Sequence, residues 1–154
     1  MDGIARWRAC SADDDVRRDG VGIDHDDHDW PTVPVPGHWR SVPELADSTG
    51  PVMYRADLHR DRPGAGERVF VVFEGVMYQA DVWLDGAYLG DPEGYFTAHA
   101  FDITDLARLA DDHVLAVEVS CPSQPTDGPK RIVTGVLQDG SVFDRRWNPG
   151  GIWR

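Results

Sequence analysis

The chain has 154 residues, 41 % of them hydrophobic, which suits one domain with a core of its own and excludes a disordered polymer. Its 27 acidic and 15 basic residues leave a net charge of -12, the wrong sign for displacing counterions from nucleic-acid phosphates or for approaching an anionic membrane. No apolar run nears the ~20 residues a bilayer crossing needs, and the charged N-terminus has no apolar core ahead of a cleavage site, so the expectation is a soluble, cytoplasmic chain.

In chain order, Trp7 lies in the first apolar-tinged run, and a polar segment follows over residues 11–20. The heptapeptide DHDDHDW, residues 24–30, holds four aspartates and two histidines and invites a metal reading. Calcium loops need a glycine at their sharp turn and a closing glutamate, and zinc needs a stiffer spacing than His25-x-x-His28. A solvated acidic turn anchored by Trp30 is therefore the expectation, with no metal and no cofactor. The cysteines, Cys10 and Cys121, lack metal-ligand spacing and are expected to stay reduced.

Residues 31–39 (PTVPVPGHW) cannot be helical, because prolines remove donors and push their predecessors to extended angles. This segment should run along a sheet edge, with Trp30 and Trp39 as anchors. Residues 40–51 read as a loop with one helical turn, and residues 54–59 (YRADLH) alternate as a strand.

The most regular stretch is residues 69–90. A short β-branched and aromatic run over 69–73 reads as a strand. From Tyr78 the period is two: Tyr78, Ala80, Val82 and Leu84 face one way, Gln79, Asp81 and Trp83 the other. Asp85-Gly86 tolerates positive φ and closes a two-residue hairpin onto residues 87–89. Further on, Thr104 is the expected N-cap of a short helix over 105–110 that buries Leu106 and Leu109. Residues 114–120 form another strand, with Leu115, Val117 and Val119 on the core side and Glu118 opposite, as a solvated carboxylate. Residues 121–140 carry three prolines and weak periodicity, which suits a long functional loop.

Several pieces, taken in order, carry a resemblance. They are VPVPGHW (33–39), YRADL (54–58), FEGVMYQADVWLDGAYLG (73–90), GYF (94–96), FDIT (101–104), LAVEV (115–119) and GIWR (151–154). The set resembles the N-terminal sugar-binding domain of family 2 glycoside hydrolases, enzymes of the β-galactosidase, β-glucuronidase and β-mannosidase type. The resemblance implies an all-β fold: an antiparallel jelly-roll β-sandwich of the galactose-binding type with one short helix, its two sheets burying their facing sides around Phe70, Val72, Val82, Leu84, Leu115 and Val117. Residues 1–29 would be an acidic segment packing on the domain. Residues 30–154 would be the sandwich, its final strand truncated at Arg154.

The resemblance also implies a division of labour. In the family two glutamates on a separate (β/α)8 barrel act as nucleophile and acid/base of a retaining mechanism. No catalytic residue is therefore assigned to this chain, and Glu74 and Glu118 are read as structural. The loop before the GIWR strand leans over the barrel mouth in the family, which makes Asp144, Trp147 and Asn148 the candidate substrate-binding residues. A carboxylate accepts from vicinal hydroxyls, and an indole offers a flat face to sugar C–H groups. The plainer alternatives are an ion pair with Arg145 or Arg146 for Asp144, and packing beneath the sandwich for Trp147. The implied partners are the terminal sugar of a β-glycoside, the barrel and a second β-sandwich. A stand-alone lectin-like module and a purely structural interaction domain remain the competing readings.

Overall fold

The computed structural model describes residues 6–48, 50–94, 96–121 and 150–154. Among the described residues there are ten strands and two short α-helices. The strands are β1 (Trp7–Ser11), β2 (Thr32–Val33), β3 (Val52–His59), β4 (Phe70–Phe73), β5 (Val76–Met77), β6 (Gln79–Leu84), β7 (Ala87–Gly90), β8 (His99–Asp102), β9 (Asp112–Ser120) and β10 (Gly151–Ile152). The helices are α1 (Asp14–Asp19) and α2 (Thr104–Ala107). Six strands make one antiparallel sheet in the order β2-β1-β3-β9-β6-β7. Two antiparallel pairs, β4 with β8 and β5 with β10, supply the facing layer.

Period-two alternation builds the core between the layers. Ala9 of β1, Val52, Tyr54 and Ala56 of β3, Ala80, Val82 and Leu84 of β6, and Leu115, Val117 and Val119 of β9 turn inward and are buried. Val69, Phe73, Val76, Ile103 and Ile152 meet them from the other side. The hairpin turn forms as the sequence dictates: Asp85 and Gly86 take φ of 52° and 81°, and Leu84 faces Ala87. Its Asp85 carboxylate also accepts from the backbone N–H of Val114 at 2.7 Å, tying the turn to β9.

Three expectations are corrected in the facing layer. Phe70 and Val72 point outward, 45 % and 54 % exposed, while Val69 and Phe73 are buried. An unbroken apolar run has no polar residue to set its phase; here the Arg68 guanidinium sits 5.0 Å over the Phe70 ring and holds it at the surface. Thr104 is the first residue of α2, not its cap; Ile103 holds the cap position, and the Asp102 carboxylate just before it accepts from the Thr104 backbone N–H at 3.0 Å. Thr104 is instead buried and its hydroxyl accepts from the Val69 N–H at 2.9 Å. The helix ends at Ala107, so Leu109 lies beyond it and is 73 % exposed.

The outer face of the six-stranded sheet is not bare. Trp7–Ser11 is one of its strands, and residues 12–30 cross over it, carrying α1. The Asp13 carboxylate caps α1 by accepting from the Val16 N–H, with Asp14 and Asp15 in the first turn and Arg17 and Arg18 in the last, as the helix dipole favours. Beneath this cover Arg8, Arg55 and Glu118 are buried. The Arg55 guanidinium donates to Asp27 at 2.9 Å and to the carbonyls of Gly20, Gly22 and His25. The Arg8 guanidinium spans Asp27 at 3.0 Å and Asp57 at 2.9 Å. Glu118 takes Arg17 of α1 at 2.9 Å.

Two further expectations change here. The acidic turn is not wholly solvated, because Asp27 is buried between two arginines, and only its neighbours Asp24, Asp26 and Asp29 are exposed. Glu118 is likewise not solvated. Asp27 follows from arginines placed in strands, since a buried guanidinium requires an acceptor set and the chain folds its own acid onto it; Glu118 is the buried acid of a strand, met by Arg17 of the covering helix. Burial alone would raise the Asp27 pKa, but the hydrogen bonds from Arg55 and Arg8 outweigh it and hold it below the ordinary value.

Phe73→Ala should cost about 3–5 kcal/mol of folding stability in urea titrations, whereas Phe70→Ala should cost under about 1 kcal/mol. The reverse ranking would contradict the phase of β4. Asp27→Asn should cost about 3 kcal/mol, since it strands two buried arginines. Asp102 is also lowered, to about 2, by hydrogen bonds from Thr104 and Arg68. A carboxylate with a lowered folded-state pKa stabilises above its unfolded value of about 3.9 and loses that contribution as pH falls. Stability should therefore drop as pH falls from about 4 toward 2. Asp27→Asn should flatten that dependence in acid titrations followed by fluorescence.

Candidate functional site

The three residues singled out for sugar contact, Asp144, Trp147 and Asn148, lie outside the described residues. The described residues resume at Gly150 and the strand that follows. There, three segments distant in sequence meet. β10 pairs with β5, Gly151 facing Met77 and Ile152 facing Val76. On its other side the Gly37 N–H donates to the Ile152 carbonyl at 2.9 Å, and the Trp39 N–H donates to the Gly150 carbonyl at 3.3 Å. The PGHW and GGIW pieces thus touch through their backbones.

Glycine is required at this junction by space. A Cβ on Gly150 would lie 2.1 Å from the buried Trp39 ring, and one on Gly75 would lie 2.6 Å from the Trp153 ring. Gly151 has φ +135°, and its missing Cβ would fall 2.6 Å from the Gly37 carbonyl and 3.1 Å from the Tyr54 hydroxyl. Burial pushes the Tyr54 phenol well above its usual range, so it stays protonated beneath the junction. Trp153 is fixed by its own N–H donating to the Gly75 carbonyl at 3.2 Å and by an edge-on contact with Phe96, ring centres 5.7 Å apart. Next to Trp39, the His38 Nδ1 accepts from the Arg40 N–H at 3.0 Å, which opens a 3-10 turn over Trp39–Ser41.

The remaining acids of interest are placed apart. Glu74 is exposed at the junction and pairs with Arg154 at 3.3 Å, whereas Glu118 lies under α1 on the far side of the sheet. Among the described residues no group of three or more His, Cys, Asp or Glu side chains could hold a metal ion. A depression of about 390 Å³ lies beside α2, lined by Arg68, Asp102, Thr104 and Arg108. Its arginines are ion-paired, Arg68 with Asp102 and Arg108 with Asp105.

What the sequence reading missed is the trio Arg8, Asp27 and Arg55. Its signal was present: an arginine inside each of two otherwise inward-packing strands, WRACS and VMYRADLH, implies a buried anion supplied from elsewhere.

Comparison with known proteins agrees with this architecture. The family profile of the glycosyl hydrolase 2 galactose-binding domain-like domain matches residues 47–131. A β-glucuronidase of Formosa agariphila is 27 % identical over 110 residues, 64 % of this chain and 11 % of that protein. A β-galactosidase of Thermoanaerobacter pseudethanolicus is 24 % identical over 134 residues, 84 % of this chain and 18 % of that protein. The chain thus spans less than a fifth of these relatives' length. The crystal structure of a Bacteroides uniformis β-glucuronidase superposes with a TM-score of 0.69 at 20 % identity, covering 98 % of this chain and 16 % of that one. A β-glucuronidase from glycoside hydrolase family 2 gives a TM-score of 0.66 at 23 % identity, over 79 % of this chain and 14 % of the other. These two likenesses speak for the fold. With the profile matched over more than half its residues, the chain belongs to the glycosyl hydrolase 2 galactose-binding domain-like family.

Proposed function

We propose that this domain is the N-terminal carbohydrate-recognition domain of an exo-acting family 2 glycosidase that hydrolyses terminal β-linked sugars. Its work is to position the catalytic barrel, beside a second β-sandwich, and to line the pocket for the non-reducing-end sugar. The observation that carries this reading is the family match, made to enzymes that all cleave β-glycosides. Hydrolysis itself falls to two glutamates of the barrel, in a retaining mechanism where they lie ~5–5.5 Å apart.

Within this reading, residues 144–150 form the element that reaches the sugar. Asp144 accepts hydrogen bonds from vicinal hydroxyls, Trp147 stacks on a sugar face, and Asn148 adds one donor and one acceptor. The last residue of this element has a close-packed setting: Gly150 accepts from the Trp39 N–H and has no room for a side chain beside the Trp39 ring, and Gly151 next to it pairs with β5. A site is precise only when its support is fixed, and 1 Å of play at such a base would disorganise substrate contacts. No helix among the described residues is long and apolar enough to cross a membrane. A cytoplasmic site of action belongs to the same proposal.

In a longer polypeptide containing this chain and its barrel, Asp144→Ala should lower kcat/KM for an aryl β-glycoside at least about tenfold, a loss of about 1.4 kcal/mol in transition-state binding. Unchanged turnover would remove Asp144 from the sugar pocket. Gly150→Ala should cost about 1–3 kcal/mol of stability by driving a methyl group into Trp39, measured by urea denaturation.

A further inference from the structure

The outer face of the β6–β7 hairpin carries a group of side chains that neither the core nor the junction uses. Trp83 and Tyr88 are direct cross-strand partners, their rings tilted 55° with centres 5.6 Å apart. Tyr88 is 55 % exposed. Its hydroxyl donates to the Asp81 carboxylate at 2.8 Å, so the ring is held in one orientation although it stands in water. That carboxylate pushes the Tyr88 phenol up to about 12, keeping it a donor across the physiological range. On the neighbouring strand Ala116 faces Trp83 and Glu118 faces Asp81, and both are buried, so the open part of the aromatic pair lies on the Tyr88 side. Arg17 of α1, 51 % exposed, reaches Glu118 from above and lies within electrostatic reach of Asp81.

A cross-strand aromatic pair also stabilises a hairpin simply by contact. That role does not need a phenol locked to a carboxylate on the solvent side, nor a cation at the margin. Together these groups make a different kind of surface. Two aromatic planes set at an angle supply apolar contact area at low entropic cost, and Asp81 and Arg17 flank them with an acceptor and a donor. A pyranose ring has the matching chemistry: one face of C–H groups for an aromatic plane, and an edge of hydroxyls that both donate and accept. Asp81, Glu118 and the overall charge of -12 set the sign of the field and disfavour an anionic sugar.

We propose that Trp83, Tyr88 and Asp81, with Arg17 at the margin, form a carbohydrate-binding surface that takes a neutral pyranose unit of a glycan. This goes beyond the terminal-sugar role proposed above and does not rest on it. The surface is shallow and open, so it suits an internal unit of a longer chain, held weakly and released readily. It would keep a glycan close to an enzyme whose chemistry is carried out elsewhere, raising the local concentration of chain ends.

The test titrates the full chain with methyl β-galactoside, methyl β-glucoside, methyl β-mannoside and a neutral β-linked oligosaccharide, with glucuronic acid as the anionic control. Binding is read from the indole N–H resonance of Trp83 and the ring resonances of Tyr88. Saturable movement with at least one neutral sugar, in the millimolar range, is expected, with none for glucuronate at the same concentration. Tyr88→Ala should weaken the affinity at least about tenfold. Tyr88→Phe, which keeps the ring and the hairpin contact but releases Asp81, should weaken it by a smaller factor. The readout is local to Trp83 and Tyr88, whereas the pocket reading is tested by turnover, so a failure of the pocket reading and a failure of this one are told apart. No saturable movement with any neutral sugar, or an affinity undiminished in Tyr88→Ala, would overturn the proposal.

Discussion

The whole fold depends on how one buried cation is compensated. Arg55 stands in the middle of the six-stranded sheet, on the face that points away from the core, and is buried there. Its planar guanidinium directs donors along fixed directions, and the chain answers with one carboxylate and three backbone carbonyls drawn from residues 20–27. Those four acceptors hold the covering segment at one height and register above the sheet. Asp27 reaches Arg8 as well, so the same carboxylate links β1 and β3 beneath the cover. Pairs of this kind contribute little net stability compared with an apolar substitute, but losing one partner is expensive. Their effect is to make one arrangement of the cover far better than any other.

The opposite end of the molecule is governed by space, not charge. Around Gly150 and Gly151 the backbone of residues 37–39 approaches so closely that a side chain has no room. Close approach allows the hydrogen bonds that run from Gly37 and Trp39 to the strand, and these extend the β5–β10 pair by a third segment. The prolines of residues 31–36 prepare this segment for its extended path, and Trp39 ends it as a buried anchor.

Much of this architecture was readable from residues alone. The alternation from Tyr78 to Leu84 placed β6 and its inward face, the Asp85-Gly86 pair placed the turn, and the pattern of residues 114–120 placed β9. Each of these segments alternates strictly, so phase and burial follow directly. Phe70 and Val72 turn outward against expectation because a run such as VFVVF has no polar residue to choose its face; the exposed Phe70 ring is covered in part by Arg68. Local sequence favours Thr104 as a cap, while in the structure Ile103 holds that position and Asp102, two residues before Thr104, bonds the first free N–H of the helix. The burial of Asp27 and Glu118 is a tertiary fact: each depends on an arginine far away in sequence, which no local window contains. For the site, the sequence named Asp144, Trp147 and Asn148, and the structure supplies the ground their loop departs from at Gly150. The Trp83–Tyr88 pair needed the register of two strands before it could be seen as a unit.

The glycine junction also ties together three parts of the chain that are far apart in sequence. Residues 37–39, 75–76 and 150–152 are joined there by backbone bonds, and closing such long intervals loses chain entropy that isolated bonds do not return. The seat of Gly150 is therefore upheld by the whole sandwich around it, and a short fragment that carries these three segments alone would not keep it.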